Sequence, residues 1–164
     1  MKFIENIKRI YEYGKELEIY LDMDGTIIEL IFDIEESFTQ KGNYIKKVPI
    51  KPVINQLEKI HRLYPNIKIK ILSFSRNNDM TKEKNKWLDI NMPYINKENR
   101  IFLSEESHEY GKIDINKIKC EYIKANITED KIAILIDDDV RILNETKKIL
   151  KEQVFPIHVT SVLI

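Results

Sequence analysis

The stretch Glu18-Ile19-Tyr20-Leu21-Asp22-Met23-Asp24-Gly25-Thr26 runs from an apolar segment directly into two carboxylates and a glycine. Glu18 to Met23 reads as a short buried strand ending in acid. Asp22 and Asp24 are separated by one residue, and Gly25 permits the chain to turn sharply behind them. Two carboxylates placed this way suit a nucleophile beside a proton donor and acceptor. The plainer alternative is an acidic strand-to-helix turn with no chemistry.

The flanking sequence alternates strands and helices. Phe3, Ile4, Ile7, Ile10 and Tyr11 have helical spacing, with Gly14 as the stop. Lys51 to Tyr64 reads as a helix with Pro52 in its first turn. Ile67 to Leu72 is a second strand. A helix capped by Asp79 runs through Trp87, Leu88 and Ile90. Ile101 to Leu103 is a short strand, and Ile115, Ile118, Tyr122 and Ile123 line a further helix. Lys131 to Ile136, the most apolar strand, is expected to be central. Ile142 to Leu150 gives a last helix and Ile157 to Ser161 a last strand. This alternation implies βαβ units around a parallel sheet, an α/β three-layer, Rossmann-like sandwich. In such sheets ligands sit beyond the carboxyl ends of the strands. Those ends carry Asp22, Ser73 and Asp137-Asp138. The segment 27–48 departs from the alternation. It reads as a hairpin with Lys41-Gly42-Asn43 as its turn, either a flap over the site or a surface excursion.

Asp137-Asp138-Asp139 closes the most apolar strand. Two unit charges about 4 Å apart repel by roughly 4 kcal/mol at an effective dielectric near 20. Bringing this group to Asp22 therefore calls for a cation. Oxygen-only ligation favours a hard ion such as Mg²⁺. Taken alone, the triplet could equally be a helix N-cap.

The composition is that of one ordered globular domain over residues 1–164, with 43% hydrophobic and 33% charged residues. Lys plus Arg and Asp plus Glu both number 27. This neutrality gives no electrostatic support for a nucleic-acid or membrane partner, although a nucleic-acid end stays open as a substrate. One cysteine, Cys120, excludes an intrachain disulfide and fits a cytoplasmic protein. No apolar run has the length of a signal peptide core or a membrane span.

The order of these groups resembles the haloacid dehalogenase-like (HAD-like) phosphohydrolase superfamily. Its phosphatases open with Asp-x-Asp-Gly-Thr or Val after the first strand. A Ser or Thr then ends the second strand, a Lys follows, and paired acids end the fourth. The match extends from about Glu18 to the C-terminus. The resemblance implies a Mg²⁺-dependent phosphomonoester hydrolase, with a nucleotide or sugar phosphate among the candidate substrates. It implies Asp22 as nucleophile, Asp24 as acid and base, and Ser73 as phosphate donor. Lys112 is the best-spaced lysine, 137 − 112 = 25 positions before the acids, with Lys117 and Lys119 less well placed. Asp22, the Asp24 carbonyl and Asp138 would hold Mg²⁺, with Asp137 competing for the last place. The acid role of Asp24 requires surroundings that raise its pKa.

Too little chain separates these motifs for a large cap domain, so a capless or minimally capped member is expected. Phe74, Arg76, Lys46 and Lys47 are candidate substrate contacts; for each of these cations solvated charge is the plainer reading. The Asp-Met-Asp-Gly-Thr start, the short length and the Trp-bearing helix also resemble the deoxyribonucleotidase-like branch. The alternatives are a non-catalytic phosphate-binding or regulatory module on the same fold, and a phospho-accepting receiver domain. The receiver places its acidic pair first and its lysine last, against the order here.

Overall fold

The computed structural model describes residues 2–30, 44–104 and 114–164. Five parallel strands form one sheet in the order β3-β2-β1-β4-β5: β1 Glu16–Leu21, β2 Lys68–Ser75, β3 Arg100–Ser104, β4 Lys131–Asp137 and β5 Val154–His158. Five α-helices accompany them: α1 Lys2–Glu12, α2 Lys51–Leu63, α3 Asn78–Asn91, α4 Ile115–Asn126 and α5 Val140–Leu150. The expected α/β three-layer sandwich is the observed one.

The two-residue period of the strands divides the core. Leu17, Ile19 and Leu21 of β1 face the same side as Ile69 and Ile71 of β2 and Ile134 and Ile136 of β4. They pack there with Phe3 and Ile7 of α1, Leu57 and Ile60 of α2, and Trp87 and Leu88 of α3. Tyr20, Leu72, Ala133 and Leu135 face the other side, against Ile118 and Ile123 of α4 and Leu143 and Leu150 of α5. The sheet is thus covered on both faces, as parallel sheets require.

Glu18 is buried within β1, at the end of the sheet away from the motif acids. Its carboxylate accepts from Lys70 Nζ (2.8 Å), Tyr20 OH (2.8 Å) and Lys131 Nζ (3.0 Å). Burial works against its ionisation, but these donors hold its pKa below the ordinary value. The central strand therefore carries its charge with partners.

Several boundaries differ from the sequence expectation. The middle strand is β1, with β4 beside it. Asn77, rather than Asp79, caps α3: its Oδ1 accepts from Met80 N at 2.9 Å. The last strand covers Val154–His158, and Val159–Leu163 forms a 3-10 turn. The base of the 27–48 segment pairs with antiparallel character, through an Ile28–Pro49 bridge and a Glu29 N to Val48 O bond of 2.9 Å. Its expected turn at 41–43 lies outside the described residues. No helix among the described residues is long and apolar enough to cross a membrane.

Candidate active site

The acids that end β1 and β4 meet because those strands are neighbours in matched register. Leu21 pairs with Ile136, and Asp22 N donates to the Ile136 carbonyl at 3.0 Å. Oxygens of Asp22, Asp137 and Asp138 lie within 4.8 Å of one another. The turn after Asp22 is tight: the N–H groups of Thr26, Ile27 and Ile28 all donate to the Met23 carbonyl. Gly25 has φ +82°, and a Cβ there would collide with the Asp138 carboxylate. A glycine is needed both for the dihedral and for the approach of the two acidic loops.

The three adjacent acids divide their work. Asp139 caps α5, its Oδ1 accepting from Arg141 N at 2.9 Å. Asp137 is buried, with Oδ1 taken by Asp139 N (2.9 Å) and Oδ2 by Lys119 Nζ (2.6 Å). Asp138 is half-buried, and its backbone carbonyl lies 3.1 Å from His158 Nε2.

Lys119, from the middle of α4, is the lysine that bridges these acids among the described residues. Its Nζ lies 2.6 Å from Asp22 Oδ1 as well as from Asp137 Oδ2. Burial opposes its charge, but the two carboxylates outweigh that and hold its pKa above the ordinary lysine value. Lys112, which the spacing favours, lies outside the described residues. Lys117 and Lys119 rank below it on spacing, yet Lys119 reaches both strand ends. The signal in the sequence is its helical phase: Lys119 stands four residues from both Ile115 and Ile123, within the apolar stripe of α4.

Burial is the main force raising the pKa of Asp22; Lys119 opposes it and Asp137 adds to it. Burial and then Asp22 likewise raise Asp138. Buried acids that resist ionisation next to one another are the donor set a hard divalent cation would neutralise. The residues present fit such an ion.

Asp24 departs from expectation. Its Oδ2 accepts from Lys84 Nζ (2.9 Å), and its Oδ1 from Lys47 Nζ (2.9 Å) and Tyr44 OH (3.0 Å). Burial would raise its pKa, but Lys84 and Lys47 outweigh burial and lower it. The surroundings thus favour the carboxylate, the reverse of what an acid role calls for. Sequence reasoning missed Lys84, whose signal, like that of Lys119, is a lysine inside an apolar helical stripe, here Met80, Trp87 and Leu88.

A cavity of about 250 Å³ opens over these groups. Asp22, Asp24 and Ser73 line it, together with Phe74, Arg76 and Lys47 from the expected substrate contacts. Lys46 is exposed and is not among its lining residues. Leu30, Tyr44 and Met80 complete the lining with Lys84. Trp87 Nε1 donates to the Lys47 carbonyl at 3.0 Å and fixes that lysine's backbone. Cys120 is buried on α4, where burial pushes its thiol up to about 11, and has no part in this centre.

No family model and no curated protein matches the chain. Solved structures do. A chain of the Pnkp1/Rnl/Hen1 RNA repair complex superposes on 88% of this chain with TM-score 0.62 and 18% identity. The HAD domain of the effector protein Lem4 from Legionella pneumophila covers the same share with TM-score 0.50 and 19% identity. The fold is HAD-like. The chain spans 43% of the RNA-repair chain but 87% of the Lem4 HAD domain. At these identities the likeness establishes the HAD-like fold.

Proposed function

We propose that this HAD-like chain is a Mg²⁺-dependent phosphomonoester hydrolase that works through a phosphorylated Asp22. The observation that carries the reading is the convergence of Asp22, Asp137 and Asp138, with Lys119 bridging two of them, where Asp22 also lines a cavity shared with Asp24 and Ser73.

Asp22, the Asp24 carbonyl and Asp138 would hold the ion. Both Asp137 oxygens are already bonded, which favours Asp138 as the direct ligand. When bound, Mg²⁺ supplies positive charge that keeps Asp22 ionised and offsets charge on the transferring phosphoryl group. Lys119 has three N–H donors and uses two on Asp22 and Asp137 among the described residues. The third can meet a phosphoryl oxygen. Ser73 supplies a further donor from the end of β2.

In the first step an Asp22 oxygen bonds to phosphorus while the bond to the leaving oxygen breaks. Asp24 protonates that oxygen. The proton comes from the monoanionic ester, the form that prevails below about pH 6. In the second step water attacks phosphorus, Asp24 accepts its proton, and Asp22 is released. Lys84 and Lys47 keep Asp24 in the carboxylate form that can take this proton.

Phe74, Met80, Leu30 and Tyr44 give the cavity apolar walls, and Arg76 and Lys47 supply cations beside them. A phosphate ester carrying an apolar or aromatic group fits this lining. The fold likeness to a chain of an RNA repair complex adds phosphorylated RNA ends to the substrates worth screening. With an aryl phosphate, phosphate release is expected with Mg²⁺ and not after chelation. Wild-type protein that releases none with the metal present would favour a non-catalytic phosphate-binding module.

A further inference from the structure

One buried lysine in the cavity wall touches both Asp24 and Ser73. Lys84 of α3 is 1% exposed. Its Nζ donates to Asp24 Oδ2 (2.9 Å), Ser73 Oγ (2.9 Å) and the Phe74 carbonyl (2.6 Å). An ammonium has three N–H donors and no acceptor. All three are used within the protein, so Lys84 has none to offer a substrate phosphate while these bonds stand. In this it differs from Lys119.

The consequence falls on Ser73. Because Lys84 only donates, Ser73 Oγ must accept from it, and the hydroxyl proton is left to point elsewhere. Ser73 lines the cavity beside Asp22, where a phosphoryl oxygen would be the acceptor. The same ammonium holds one oxygen of Asp24. α3 is itself anchored over this region, by Glu83 Oε2 accepting from Tyr44 N (3.1 Å) and by Trp87 on the Lys47 carbonyl. Nζ is therefore fixed relative to both partners.

We propose that Lys84 is a positioning residue that sets Ser73 as a hydrogen-bond donor to the phosphoryl group and fixes the Asp24 carboxylate beside it. The inference deepens the hydrolase reading and rests on it.

A double-mutant cycle tests it. kcat and KM for an aryl phosphate with Mg²⁺ are measured for wild type, Lys84→Met, Ser73→Ala and the double variant. Each single change is expected to lower kcat/KM by about 10- to 100-fold, chiefly through kcat, because the lost donor acts on developing charge. The double variant should be no worse than the worse single one, because Ser73 without Lys84 no longer presents its proton. Lys84→Arg should restore part of the rate. Losses that multiply, or near-wild-type kinetics in Lys84→Met, would overturn the proposal. Lys84→Gln replaces Lys84→Met throughout if the latter does not fold.

A wild type without turnover would defeat the hydrolase reading by itself. The cycle is then run on inorganic phosphate binding with Mg²⁺ by calorimetry. The same non-additivity is expected there; additive losses, unchanged affinity or no binding by the wild type would overturn the role of Lys84.

Discussion

Asp22→Asn is expected to lower Mg²⁺-dependent phosphate release by a factor on the order of 10⁴ or more, the scale seen when a catalytic nucleophile is removed. The amide has the carboxylate's shape but lacks the charge that attacks phosphorus. Folding should survive. An asparagine oxygen can still accept from Lys119, so the bond now made at 2.6 Å has a successor. The change also removes one of three crowded acids, two of which burial and mutual repulsion already push toward the neutral form. Thermal melting in metal-free buffer should therefore show no loss relative to wild type, while stabilisation by Mg²⁺ should shrink. A variant that melts normally and turns over normally would remove Asp22 as the nucleophile.

Lys119→Met should lower kcat by about 100- to 1,000-fold, the range for losing one preorganised donor to developing charge. It should also destabilise the fold. Asp22 and Asp137 are both buried, and among the described residues the ammonium between them is the cation both contact. Removing one partner from a buried ion pair costs about 3–5 kcal/mol. Mg²⁺ is expected to recover part of that loss by supplying charge to Asp22, and urea denaturation with and without the metal would measure it. Lys112→Ala is the informative companion. The proposed mechanism gives the large kinetic effect to Lys119. A near-normal rate in Lys119→Met together with a large loss in Lys112→Ala would restore the assignment that motif spacing favours.

Lys84 and Lys119 mark where the sequence stops being legible. The apolar runs ending at Asp22, Ser73 and Asp137 are strong local signals, because a buried parallel strand needs continuous apolar residues and its last residue faces the ligand end. The register that joins Leu21 to Ile136 follows once the strands are neighbours, so the acidic convergence was readable. The order of the strands is a property of crossover connections, and apolarity alone placed Lys131–Ile136 at the centre where β1 stands. Lys84 and Lys119 act across distances of 60 and 97 positions from Asp24 and Asp22. In a Lys-rich chain no local pattern singles them out except their phase in an apolar helical stripe. The inverted expectation for Asp24 has the same origin. Its pKa is set by Lys84 and Lys47, which only the folded chain brings to it.

Capture of phosphorus by the Asp22 carboxylate would leave a covalent trace. Turnover of a phosphate ester with Mg²⁺ can be quenched in acid, and the protein digested and mapped by mass spectrometry for an acyl phosphate. Hydroxylamine-sensitive phosphate is expected on the peptide containing Asp22, and none when the metal is chelated. Steady Mg²⁺-dependent turnover with the label on another residue, or with no phosphorylated protein under conditions that trap the intermediate, would contradict it.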